Sequence, residues 1–255
     1  MTASTMAHKG VKNALAVLFW LAVWQVGAML ANRTLLLPLP TPVSTVQALG
    51  QLMGQGRFYL TVGASLLRIA VGFVLALLAG TLSALLCARS RVFAALTAPL
   101  LQLIRAIPVA SFTILLFLWV RRSMLPSCVV FLTVYPLVWA HVESGIRALD
   151  GSLREMAKVF GMRGSELFRQ ITLPGLRPCF SAASAAGLGF AWKSGVAAEV
   201  ICRSEMSLGS LLWAGKNAVD YDEVFALTLV IVLCSAALQA LAKGLTKGGG
   251  GRESV

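Results

Sequence analysis

Arg68, Arg105, Lys193 and Glu199 are charged side chains set inside long apolar runs. A charge at that depth in lipid is costly, so it normally faces a cavity, a partner side chain or a passing substrate. Three cations against one carboxylate leave an excess of positive charge, which suits the passage of an anion. Lys193 and Glu199 stand six positions apart, about 120° around a helix. They therefore do not pair locally, and each requires a partner on another helix. Arg68 and Arg105 have an ordinary alternative, since their long stems could carry the guanidinium groups to the outer and inner interfaces. Lys193, about two-thirds along its run, has no such route. His141 joins the set as a pore-facing or inter-helix hydrogen-bonding group, and Trp192 and Trp213 as interfacial anchors or pathway wall.

Catalytic chemistry fits poorly. No G-x-x-x-x-G-K-[ST] occurs, so this chain hydrolyses no ATP itself, and no H-E-x-x-H occurs. His141 has no second histidine or serine motif beside it for acyl transfer or metal binding. The five cysteines, Cys87, Cys128, Cys179, Cys202 and Cys234, are scattered without C-x-x-C spacing and read as small core residues. No catalytic residue, metal ligand or cofactor is expected in this chain.

The elements that position these charges follow from composition. Hydrophobic residues make up 58% and charged ones 13%, and mean hydropathy is +0.81; soluble domains carry about 25% charge. The net charge of +12 lies in short connectors, not on one amphipathic face, which argues against nucleic acid. A bilayer core takes roughly 20 helical residues to cross. The sequence thus predicts an all-α integral membrane protein with about six transmembrane helices, near 14–31, 61–88, 94–120, 125–146, 179–201 and 224–242, in one transmembrane domain over 1–255. The first run, lasting to about Ala31, is too long for a signal peptide. Pro108 should kink or interrupt the third span.

Lysine and arginine set the orientation, because cytoplasmic loops retain them. With the N-terminus inside, thirteen of the 22 fall in the cytoplasm, and both termini lie there. Arg121 and Arg122 are then placed outside. Thr41 followed by Pro42 reads as an N-cap with proline at the first helical position, opening either a short surface helix with Val43, Val46, Ala48 and Leu49 on one side or a solvated connector. The tail over 244–255, rich in glycine, is expected to be flexible.

The longest cytoplasmic loop, 147–178, carries the sharpest punctuation. Leu153 to Phe160 reads as a helix with Met156, Val159 and Phe160 near one side. Gly161 should end it in a left-handed turn. A second short helix over 165–170 brings Leu167 and Phe168, Pro174 should break it, and Pro178 should open the fifth span. These apolar side chains want either a partner protein or the membrane surface.

Glu155, Ala157, Gly161, Ile171, Leu173 and Pro174 meet the pattern E-x-A, three residues, G, nine residues, I-x-L-P, with Met156 at the second position. This resembles the cytoplasmic coupling loop of permease subunits in binding-protein-dependent ABC importers. "LLPLPTPVSTVQAL", "SLLRIAVGF", "PLLQLIRAIPVAS" and "GLGFAWKSGVAAEVI" resemble the nitrate, sulfonate and taurine branch. The resemblance implies six spans, a second permease copy in a homodimer, a dimer of separate ATPase subunits that holds ATP and Mg, an extracytoplasmic solute-binding protein, and residence in the bacterial inner membrane. It implies that Met156, Phe160, Leu167 and Phe168, oriented by Glu155, dock on the ATPase. The implied solute is a small anion; an uncharged or heterocyclic solute, or a stand-alone secondary transporter, is the alternative. The latter is opposed by the docking loop and by the lack of an inverted repeat.

Overall fold

The computed structural model describes residues 3–34, 39–149, 156 and 159–248. The regular elements among these residues are all helices, and the chain divides into two compact units.

One unit comprises Met1–Leu60 and Leu211–Ile231. Its first helix, α1 (Ala3–Thr34), exposes apolar side chains from Leu15 to Leu30 all round, as a lipid-facing span does. Trp24 anchors it by donating its indole N–H to the carbonyl of Pro40 at 3.0 Å and setting its ring 5.9 Å from that of Phe225. Helix α2 (Pro42–Met53) begins as predicted: the Thr41 hydroxyl accepts from the Ser44 N–H at 3.1 Å and Pro42 occupies the first turn. Its buried face differs from the expected one. Thr45 and Leu52 are buried while Val43 and Val46 are exposed. The rotation has a polar cause, because the Ser44 hydroxyl donates to Asp222 at 2.6 Å and fixes which side turns inward.

The other unit comprises Thr61–Ser210 and Val232–Val255. Helix α3 (Gly56–Arg89) runs through most of it; after Ser90, α4 (Arg91–Ala106) and α5 (Val109–Leu116) meet at a bend of 100°. Proline explains the bend. Pro108 lacks an N–H and disfavours helical backbone at Ile107, which adopts φ −82°, ψ 126°. The short α7 (Gly164–Leu167) and a π-helical turn (Phe168–Thr172) lead into α8 (Leu173–Cys202), and helix α6 (Leu125–Ala148) packs along α8. On α8, Ala183, Gly187, Ala191, Gly195 and Ala198 are buried, the close-packing role expected of its small residues. Helices α9 (Leu208–Asn217) and α10 (Tyr221–Gly248) follow, α10 continuing past position 244 to Gly248.

By length and apolarity Leu15–Arg33, Gly56–Arg89, Leu125–Ala148 and Tyr221–Ala242 can each cross a membrane, and the bent α4–α5 pair makes a fifth candidate. The remaining expected span corresponds to α8, 30 residues long, whose apolarity is diluted by small residues, serine and charge. One expectation at its start is corrected. Pro174 does not break the helix and Pro178 does not open the span; both lie within α8. The π-turn explains this, since Leu173 donates its N–H to the carbonyl of Phe168, five residues back. The wider turn moves aside the carbonyl against which the proline ring would clash.

Candidate functional site

The α4–α5 break leaves room beside α6. A cavity of about 510 Å³ lies there, walled by apolar side chains that include Ile104, Ile107, Leu132, Leu137 and Phe190 and carrying Arg105, Thr133 and His141 as its polar groups. Arg105 occupies the last turn of α4. Its guanidinium donates to the Pro136 carbonyl at 2.7 Å and sits 5.8 Å from the centre of the Trp139 ring, a cation–π distance. Among the described residues no carboxylate pairs with it. Thr133 reaches the Ser194 hydroxyl on α8 at 3.1 Å.

A second cavity, of about 380 Å³, lies at the C-terminal end of α6. Cys87, Ala94, Trp139, Glu143 and Arg147 are among its walls. The Trp139 indole N–H donates to Cys87 Sγ at 3.4 Å.

Of the five pathway candidates, Arg105 and His141 share the first cavity. Lys193 is exposed on α8 one turn from Phe190, which also lines that cavity, and it has no ion-pair partner among the described residues. Trp192 is buried in the helix packing.

Glu199 is wholly buried and its partners lie on α3 and α9. Ser65 donates its hydroxyl to the carboxylate at 2.9 Å, Gly209 donates its N–H at 3.4 Å, and Arg68 Nη1 lies 3.5 Å away. Arg68 also donates to the carbonyls of Glu205 (2.7 Å) and Met206 (3.1 Å). Gly209 is required here, because a Cβ at that position would strike the backbone of Glu199 and Val200. The carboxylate thus ties the end of α8 to α3 and to the first turn of α9, and Arg68 clamps the loop before α9 instead of being a simple interfacial cation.

Ahead of α7, Phe160 donates its N–H to the carbonyl of Met156 at 3.0 Å, closing a helical turn. Gly161 follows with φ +68°, the left-handed turn expected. Met156, Val159, Phe160 and Phe168 are exposed, and Leu167 and Ile171 are partly so. Leu173 and Pro174 lie exposed in the first turn of α8. Glu155 and Ala157 fall outside the described residues.

The reading of the sequence missed Trp139, Thr133 and Phe190, which periodicity alone presents as ordinary span residues. It also missed Ser65, although Ser65 and Arg68 stand three apart on one helix face, a spacing that could have marked them as joint partners of a buried carboxylate.

Residues 72–248 match the family described as binding-protein-dependent transport system inner membrane component. The chain belongs to this family. It is a permease, a multi-pass transport subunit of the ABC type. The permease is 31% identical over 175 residues to a probable ABC transporter permease protein of Haemophilus influenzae, covering 68% of this chain and 71% of that one. It is 23% identical over 246 residues to a nitrate import permease protein of Leptolyngbya laminosa, covering 92% and 85%. The solved structure of an amino acid ABC transporter with histidines shares the fold of the permease, with a TM-score of 0.65 at 15% identity over 78% of this chain and 97% of that one.

Proposed function

We propose that this permease passes a small anionic solute inward, as a homodimer, on receipt from an extracytoplasmic binding protein and at the expense of ATP bound with Mg by a separate ATPase dimer. One observation carries the anionic reading. Arg68 has Glu199 beside it, whereas Arg105 and Lys193 have no carboxylate partner among the described residues. Uncompensated cations at membrane depth are retained where a cavity or a charged solute repays them. Arg105 and His141 then line the path, with Lys193 on the same side, while Trp192 and Glu199 hold the helices that form its wall. A site for a transported ion must also release it, and a single guanidinium already engaged with a carbonyl and a ring provides moderate hold.

The coupling role falls to Glu155, Met156, Ala157, Phe160, Gly161, Leu167, Phe168, Ile171, Leu173 and Pro174. Support comes from the exposed apolar side chains of Met156, Phe160 and Phe168, which leave a face wanting burial, and from the continuous helical path from α7 into α8. Both termini and this segment lie in the cytoplasm on the charge distribution.

The test is uptake by the importer reconstituted with its ATPase and binding protein. Arg105→Gln should lower uptake of the native solute at least tenfold, a loss of about 1.4 kcal/mol or more, while assembly is kept. Unchanged uptake, or transport of an uncharged solute at full rate, would refute the anion path.

A further inference from the structure

The two cavities beside α6 share no lining residue. Arg105 lines the first and Trp139 the second, and the guanidinium lies 5.8 Å from the indole centre. The contact between these two side chains therefore joins a wall of one cavity to a wall of the other. Trp139 is held from both sides, by the guanidinium at its face and by Cys87 Sγ at its N–H. Arg105 is held in turn by the Pro136 carbonyl one helical turn before Trp139.

We propose that Trp139, pinned between Arg105 and Cys87, is the partition between these two cavities of the solute path, so that a solute passes from the first to the second only when the indole turns aside. The inference rests on the first cavity belonging to that path. Its physical logic is that a broad flat ring closes a gap of its own width with one side-chain rotation, whereas the backbone of α6 stays in place. Three contacts define the closed position: cation–π, indole N–H to sulfur, and guanidinium to carbonyl. None is a buried ion pair, so the closed position holds without being permanent. Cys87 lies on the side of the coupling segment, near the end of α3, and Ala140 lines the first cavity, so the two positions report on opposite sides of the ring.

The experiment uses the assembled importer in sealed vesicles and a membrane-impermeant anionic probe, 2-sulfonatoethyl methanethiosulfonate, added on the face of the coupling segment. One reporter is native Cys87 with Cys128, Cys179, Cys202 and Cys234 replaced by alanine; the other is Ala140→Cys with the same four replaced by alanine and Cys87→Ser, which keeps an acceptor for the indole N–H. With Trp139 present, Cys87 should react about tenfold faster than position 140 or more, the ratio that an opening free energy of ~1.4 kcal/mol imposes. Trp139→Ala should bring the two rates together, and Trp139→Phe, which keeps a ring, should hold most of the contrast. Should Trp139→Ala fail to assemble with the ATPase, Trp139→Leu reads the same quantity. Equal rates with Trp139 in place, or a contrast untouched by either truncation, would overturn the partition. Uptake by Arg105→Gln is read separately. Normal uptake there would remove the anion path while the labelling contrast still stood, so the two readings fail by different measurements.

Discussion

Arg68 Nη1 lies 3.5 Å from Glu199 Oε1, joining α3 to the end of α8 in a site where the carboxylate is wholly buried and the arginine side chain 19% exposed. Removing one partner from such a site strands the other, which typically costs about 3–5 kcal/mol. Glu199→Gln should therefore lower the thermal midpoint of the purified permease clearly, and Arg68→Met should do so by more. The double variant Arg68→Met with Glu199→Gln should recover part of the loss. Strict additivity of the two losses would show that the pair is not coupled in the folded protein.

Lys193 gives the opposite expectation. Exposed on α8 and without an ion-pair partner among the described residues, it contributes little to packing. Lys193→Met, which keeps the bulk of the stem, should leave the thermal midpoint within ~0.5 kcal/mol of wild type while lowering anion uptake. Wild-type uptake by the variant would remove Lys193 from the path.

At Gly161, φ is +68° and open space surrounds the position where a side chain would start. Any penalty for a larger residue there is backbone strain, not collision. Gly161→Val should incur about 1–3 kcal/mol of that strain and reorient the helical turn ending at Phe160. Pull-down of the ATPase and stimulation of its hydrolysis by the binding protein should both fall, with the spans intact by thermal unfolding. Normal stimulation would separate the turn from coupling.

Orientation is checked with single cysteines at Ser123 and Ser165 in a cysteine-free background. Intact cells exposed to an impermeant thiol reagent should label position 123 and spare position 165. The reverse pattern would invert the topology, Arg121 and Arg122 included.

The features legible in the sequence are those with local causes. Pro108 breaks the third span because a missing N–H and a restricted preceding residue act within one turn. Gly161 and the Thr41 cap are legible for the same reason. The buried face of α2 was not, because the hydrogen bond from Ser44 to Asp222 connects positions far apart in the chain. Pro174 misled in another way: a proline is a helix breaker only if the preceding turn is α-helical, and the π-turn changes that premise. Among the candidate site residues, the sequence displayed the excess of cations but not its distribution. Which arginine finds Glu199 depends on how α3 packs against α8, and neither helix encodes that alone. Trp139 had no local mark at all, since the cavities on whose walls it and Arg105 stand form only once α3, α4, α5, α6 and α8 have come together.

The loop between α8 and α9 divides its duties between backbone and side chains in a way that bears on divergence. Its shape is set from outside: Arg68 holds the carbonyls of Glu205 and Met206, and the Ser204 hydroxyl donates to the Arg122 carbonyl at 2.8 Å. Ser204 and Ser207 are buried, whereas the side chains of Glu205 and Met206 point to the surface. Position 205 is therefore free to drift through substitution while the contour beneath it is kept by residues elsewhere, whereas position 206, with φ +46°, admits only residues that tolerate a left-handed backbone. A permease built this way can change what it displays on that surface without relearning how to fold, and Glu205→Gln should leave the thermal midpoint where it was.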